Sequence, residues 1–353
     1  SIDRGNRWIE IKSNLPIVPV DDIAIHPRDN DLILGTHGRS IWVLDDITPL
    51  EQMTEDVLKF SSYLFDIPDA TQLRLFYHKG STGHKIFIAP NPTYGASISY
   101  YLNESSKKSP QFTITNLEGQ EVKEFKGPKD SGINRVSWDL RYGAPDIPEM
   151  GRRSAQGPLV LPGEYNIIFK TGEQETTKTL KVEEDPRIEI SFQDRKAQHD
   201  ALLELHHLYP YVSAASRAVN SLNKELDKIQ KTLKKISDVP EEISQQVKAM
   251  EKELEQIKIE LTGDPDLGYR GRRFSVQGGL FMLGEAIGSY TAAPTDRQIQ
   301  QIQEKKDELS GLIQRINKMI EEGIPGLNKL LNANNIPHML TGKTIKFDLQ
   351  PGS

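Results

Sequence analysis

The sequence predicts a multidomain β-plus-α protein, and three observations carry that prediction. Up to about residue 185, short β-branched or aromatic runs alternate with Asp, Asn, Gly and Pro turns, the pattern of strands joined by tight connections. Beyond Asp185 the apolar positions fall in steps of three and four, the spacing of helices packed along a seam. A chain of 353 residues is also too long for one ordinary core. The expected divisions are a strand-rich segment at 1–50, a connector at 51–83, a β-sandwich at 84–185 and a helical bundle at 186–353.

In the first segment the candidate strands are Trp8–Ile11, Asp22–Ile25, Leu32–Gly35 and Ser40–Leu44. A helix around Leu50–Phe60 leads out of it. The sandwich rests on seven short runs: Lys85–Ala89, Ser97–Leu102, Gln111–Asn116, Glu121–Phe125, Asn134–Leu140, Gly163–Lys170 and Thr176–Val182. Asn91-Pro92, Glu118-Gly119 and Thr171-Gly172 supply turn chemistry between them. Tyr142–Pro158, rich in Pro, Gly and Arg, is expected to be a long loop.

In the third territory Leu205, Leu208, Val212, Ala215, Val219, Leu222, Leu226, Ile229, Leu233 and Ile236 form one seam, with Pro210 expected to kink its first turns. After Ser237–Pro240 the seam resumes at Ile243, Val247, Met250, Leu254, Ile257 and Leu261, and so short a connection requires an antiparallel hairpin. Residues 224–235 hold five Lys against two acids, and residues 241–260 hold six Glu against three Lys, so the two helices are expected to pair by charge. Val276–Ile287 predicts a buried helix in which Gly284 and Gly288 allow close backbone approach. A further helix starts at Thr295, which has capping-box spacing to Gln298, with Ile299, Ile302, Leu309, Ile316 and Ile320 facing inward.

Composition narrows the function. A net charge of -6 argues against a nucleic-acid binder, and no apolar stretch is long enough to span a bilayer as a helix. With no cysteine, disulfides and thiol chemistry are excluded, and no cofactor is expected. The chain opens at Ser1 without a signal-like segment, so any targeting signal is expected to lie outside it.

Ser1-Ile2-Asp3-Arg4-Gly5-Asn6-Arg7-Trp8 matches the Asp-box pattern Ser-x-Asp-x-Gly-x-Thr-Trp, with Arg7 where Thr is usual. Ser1 and Asp3 can bond across such a turn, Gly5 can take positive φ, and Trp8 is expected to bury its ring. With the segments Asp21–Pro27, Asp31–Arg39 and Ser40–Asp46, the motif resembles the end of a bacterial sortilin-like or BNR-repeat β-propeller, a group often labelled glycosyl hydrolases. Gly132–Leu140 and Leu161–Tyr165 resemble an Ig-like domain of flagellar hook-cap type, with Trp138 and Tyr165 as core residues. Together the resemblance covers residues 1–190. It implies an exported protein, periplasmic or at the cell surface, whose segment 1–50 is the last part of a propeller.

His37, Arg39, Asp45 and Asp46 are the candidate ligand or partner contacts of that segment. They are not expected to be catalytic, because a glycosidase needs carboxylates opposed across a sugar, and neighbours on one strand face opposite ways. Arg270, Arg272 and Arg273 form the one dense basic patch, expected to anchor a helix-breaking loop or bind an anion. Asp200, Glu204 and His207, with His199 and His206 nearby, have weak metal-site spacing and are expected to form a solvated face. Asp264–Gly268 has a partial calcium-loop pattern without the remaining ligand positions. No metal is expected. The sequence thus favours a non-catalytic binding or scaffolding module, associating with an N-terminal propeller polypeptide of the same precursor or another chain. The alternative is an accessory part of a glycoside hydrolase whose catalytic residues lie upstream. The segment 1–50 holds too few strands for a closed propeller, so a partner is expected to cover Trp8, Ile23, Ile25 and Trp42.

Overall fold

A computed structural model describes residues 1–3, 5–10, 14–75, 89–145 and 156–348, with the side chains of Tyr269, Arg270 and Arg272 outside that description. The chain forms two compact units, Ser1–Gly143 with Leu159–Glu189, and Ala144–Pro158 with Ile190–Ser353. The first is built of strands and the second of helices, so the protein is mixed β plus α.

The first unit begins with an antiparallel meander of β1 (Val20–Ile25), β2 (Leu32–Thr36) and β3 (Ile41–Leu44). Residues 8–10 form no strand, in contrast to the expectation for Trp8–Ile11: a strand exists only by pairing, and no described strand forms a ladder with this segment. The exit helix is shorter and earlier than expected. It comprises α1 (Thr48–Gln52), started by Pro49 in its first turn, and a separate 3-10 turn at Val57–Lys59.

Two further sheets share one core. β4 (Ser62–Leu64), β6 (Ala96–Leu102) and β9 (Gly132–Trp138) form the first. The second runs in the order β5 (Ala70–Gln72), β11 (Gln174–Glu184), β10 (Gly163–Thr171), β7 (Gln111–Thr115) and β8 (Glu121–Lys126). All pairings are antiparallel except β5 with β11. Period-two alternation sends Tyr165, Ile167 and Phe169 of β10 inward to meet Ile98, Tyr100 and Trp138 from the other sheet. Phe112, Phe169 and Tyr100 stack at 5.1–5.3 Å between ring centres, and each fully buried ring contributes about 1.5–3 kcal/mol. At the entry to β6 only glycine fits: Gly95 has φ 111°, and a Cβ there would lie 1.9 Å from the Trp138 carbonyl oxygen.

β4 and β5 fall inside the expected connector, so the two-sheet layer starts before residue 84. At three residues each they are too short to show a periodic pattern. Of the expected strand Lys85–Ala89, only Ala89 lies among the described residues, as do only parts of the loop Tyr142–Pro158. A buried clasp closes the layer: the Asp185 carboxylate accepts from the backbone N–H groups of Arg74 and Arg187 and from the Arg187 guanidinium. The Arg187 hydrogen bond above all holds that carboxyl well below its usual range.

In the second unit α2 (Phe192–Leu233) and α3 (Glu241–Thr262) form a helical hairpin. Their seam residues, from Leu205 to Ile229 and from Ile243 to Leu261, are buried in one cluster with α5 (Val276–Gly288), α6 (Asp296–Lys318) and α7 (Ile324–Ala333). α2 is assigned as continuous through Pro210. Thr295 and Gln298 form the capping box at the start of α6.

Four expectations need correction. Ile299 is 49% exposed, and Leu312 and Ile313 face inward on α6 instead. A Cβ on Gly284 or Gly288 would stand 3.9–4.0 Å from Leu205 or Leu202, an ordinary contact, so neither glycine marks a close approach. Arg270, Arg272 and Arg273 lie not in a loop but in α4 (Gly268–Phe274). The charged faces of α2 and α3 do not pair as expected: Lys228 bonds Glu225 on its own helix, and Glu253 and Glu260 of α3 bind Arg315 of α6. Net charge per helix did not reveal which rows of the two helices face each other.

After α7 the chain runs without regular structure along this unit. Asn328 bonds both the N–H and the carbonyl of Met339, and Asn317 does the same for Ile345. Ile336 and Met339 of that strap are themselves buried.

Candidate functional site

The Ser1–Trp8 turn has the hydrogen bonds its residue types permit. Ser1 Oγ donates to Asp3 Oδ1 at 2.9 Å and accepts from the Gly5 N–H at 2.7 Å, and Asp3 Oδ1 accepts from the Arg7 N–H at 2.9 Å. The Arg7 N–H, and then Ser1, hold the Asp3 carboxyl down at about 2. Gly5 has φ 92°. Arg7, in the place of the usual Thr, pairs its guanidinium with Asp3 at 3.2 Å and with Glu55 at 3.3 Å. Trp8, by contrast, is 82% exposed rather than buried, because no layer lies over it among the described residues.

The next 30 residues carry the most unusual surface of the first unit. The register places Ile25, Leu32 and Leu44 in one row and Ile23, Leu34 and Trp42 in the next, and paired residues share a face. The opposite face carries Ala24, Ile33 and Val43, then Asp22, Gly35 and Ile41. Ile23, Ile25, Ile41 and Val43 are each more than half exposed. A sheet with one solvated side alternates apolar and polar residues, whereas one covered on both sides is apolar throughout. This sheet is predominantly apolar on both sides, with Asp22 the charged exception at the β1 edge.

Its two edges differ. β1 follows Pro19 and carries Asp21 and Asp22, residues that discourage further pairing, while β3 is Ile-Trp-Val-Leu without a charge or a proline.

The four candidate residues of this sheet do not form one site. His37 and Arg39 occupy the β2–β3 turn, where His37 Nδ1 lies 3.2 Å from Asp21 and the Arg39 carbonyl accepts from Trp42 Nε1. Asp45 and Asp46 lie beyond the other end of β3, about 13 Å away along four residues. Nor are they adjacent on a strand, as expected from the sequence; they form the turn after it. Asp46, at φ 49°, caps the Thr48 N–H through Oδ1, and its own N–H bonds Asp31. Partial burial, then the Asp31 charge, hold the Asp45 carboxyl above its usual range. Arg135 of β9 donates to the carbonyls of Asp45 at 2.9 Å and Asp46 at 2.8 Å and thereby ties the sheet to the two-sheet layer. The Asp46 carboxylate is thus engaged in holding a turn, and Asp45 takes part through its backbone carbonyl.

Arg135 and Asp31 escaped the sequence reading because their roles depend on contacts with the Asp45–Asp46 turn, 89 residues away for Arg135 and 15 for Asp31. In the second unit Asp200, Glu204 and His207 are exposed, but His199 is buried and His206 half-buried, so the histidines only partly follow the expected solvated face. Burial, then His207, lower His206 to about 4. No group of three metal-ligating side chains gathers among the described residues, the Asp264–Gly268 turn included. Arg273 is exposed. No described helix is long and apolar enough to cross a membrane.

No family model matches the chain, and no curated protein is significantly similar to it.

Proposed function

We propose that this chain is a non-catalytic binding or scaffolding part of an exported sortilin-like β-propeller protein, and that β1–β3 are three strands of its last blade. The observation that carries this reading is the sheet of residues 20–44, whose two faces are both predominantly apolar and both largely uncovered. A propeller blade is packed between neighbours on both faces, which is the environment such a sheet requires. The uncharged edge of β3 accepts the fourth strand, while Pro19, Asp21 and Asp22 guard the edge of β1. The strand and the flanking blades come from polypeptide outside residues 1–353, of the same precursor or a separate chain. The Asp-box turn at Ser1–Trp8 supports the same assignment, its exposed Trp8 being a ring for a neighbouring blade to cover. The two-sheet layer is the Ig-like module that follows the propeller. Its buried Trp138 packs edge-on against Tyr165, whose hydroxyl bonds the Leu161 carbonyl four residues upstream, as in the tyrosine corner of such sandwiches.

The test is co-expression of this chain with the polypeptide preceding it in its natural precursor. Co-purification that fails on Trp42→Glu is expected; independent migration of the two, with Ile23 and Ile41 equally solvent-accessible in both preparations, refutes the assignment.

A further inference from the structure

The lysines that do not pair with α3 lie on one line. Lys224, Lys228 and Lys231 follow one another at steps of four and three, within about 60° of arc at 100° per residue, and Lys235 lies in the turn just after α2 ends. That arc is opposite the buried seam of Leu222, Leu226 and Ile229, so all four side chains face solvent. Among the described residues only Lys228 has an ion-pair partner, Glu225. A second segment extends the same face. The strap after α7 brings Lys343 and Lys346 to a cleft of about 720 Å³ that Ser221, about one turn before Lys224, and Arg217, about two turns before it, also line. The acid in that cleft, Glu225, is already engaged by Lys228 and by the backbone N–H of Leu340. Asn317 and the Tyr211 hydroxyl, which bond the backbone at Ile345 and Asp348, fix the strap on either side of Lys346.

We infer that this face binds an extended acidic polysaccharide, its carboxylates along the α2 lysines and one end in the cleft beneath the strap. The lysines rise in steps of about 4.5–6 Å, comparable to the repeat per sugar of an extended uronate chain. A membrane surface fits less well, because the arc carries no apolar side chains to insert. Single-stranded nucleic acid fits less well, because no exposed aromatic ring along the arc offers a base a stacking platform. A local basic stripe on a chain of net charge -6 attracts such a polymer to this face rather than to the whole surface.

Polygalacturonate titrated against the 353-residue chain tests the assignment, with oligothymidylate as the competing polyanion. Lys224→Glu, Lys231→Glu and Lys235→Glu combined are expected to weaken polygalacturonate binding about tenfold or more at low salt, with unchanged helicity. The equally charged combination Lys107→Glu, Lys108→Glu and Lys126→Glu, on exposed positions of the first unit, is expected to leave it within about twofold. Absence of wild-type binding, equal losses in both variants, or tighter binding of oligothymidylate lost in the same variant would each overturn the inference.

Discussion

The meander of residues 20–44 and the hairpin of residues 192–262 are both rich in aliphatic side chains, yet they end in opposite conditions. In the hairpin the seam is closed: Leu226 is 1% exposed and Leu254 fully buried, covered by helices of the same chain. In the meander Ile23 is 62% and Ile41 69% exposed, and no second layer covers them among the described residues. Helices complete their backbone hydrogen bonds internally and need only one covered stripe, which the neighbouring helices of the cluster supply here. Strands need partners at their edges and, in an apolar sheet, on both faces. The same apolar content therefore yields a finished core in one region and an uncovered apolar surface in the other.

The sharpest way to break this comparison is a matched pair of substitutions. Leu226→Asp buries an unpaired charge and is expected to cost about 4 kcal/mol or more in chemical denaturation of the helical unit. Ile23→Asp, on an uncovered face, is expected to change stability by no more than about 0.5 kcal/mol. Equal costs would mean that the sheet face is covered after all.

A pH titration of unfolding has the next largest expected effect. Burial, then His207, lower the His206 pKa to about 4 from the ordinary histidine value of about 6.5, so the unfolded chain takes up its proton first. Stability is therefore unaffected above about pH 6.5 and falls as the pH drops toward 4, by about 3 kcal/mol in all. His206→Gln should flatten that part of the profile. An identical slope in the variant would show that His206 is solvated.

The attachment of the meander is open to a smaller perturbation. Arg135→Ala removes both donors to the Asp45 and Asp46 carbonyls and is expected to cost about 1–3 kcal/mol. Faster proteolysis within residues 20–44, with the near-ultraviolet signal of Trp138 retained, is the expected signature. Unchanged proteolysis would place the anchor elsewhere. The least effect belongs to Asp3→Ala, which frees the exposed Arg7 N–H; its amide exchange should quicken while global stability stays within about 0.5 kcal/mol.

These regions also differ in how much of them the sequence disclosed. The hairpin, the Thr295 capping box and the strands of the meander were legible because each depends on local spacing. β4 and β5 were hidden because three residues carry no period, and β5 pairs with a strand about 110 residues later. The exposure of Ile299 and the outward lysines of α2 were hidden for a related reason. Helical period shows that a stripe exists, but the partners that choose its edges come from elsewhere in the fold. At the candidate site His37, Arg39, Asp45 and Asp46 were evident as residue types. Their separation to opposite ends of β3 became evident only with the turns in place.

Amide hydrogen exchange across β3 tests the central claim most directly, compared between residues 1–353 alone and the same residues within their natural full-length protein. The account predicts that the amides of Ile41–Leu44 exchange rapidly in the isolated chain and become as protected as those of Ile167–Phe169 in the longer polypeptide. Protection of Ile41–Leu44 equal to that of β10 in the isolated chain would contradict it.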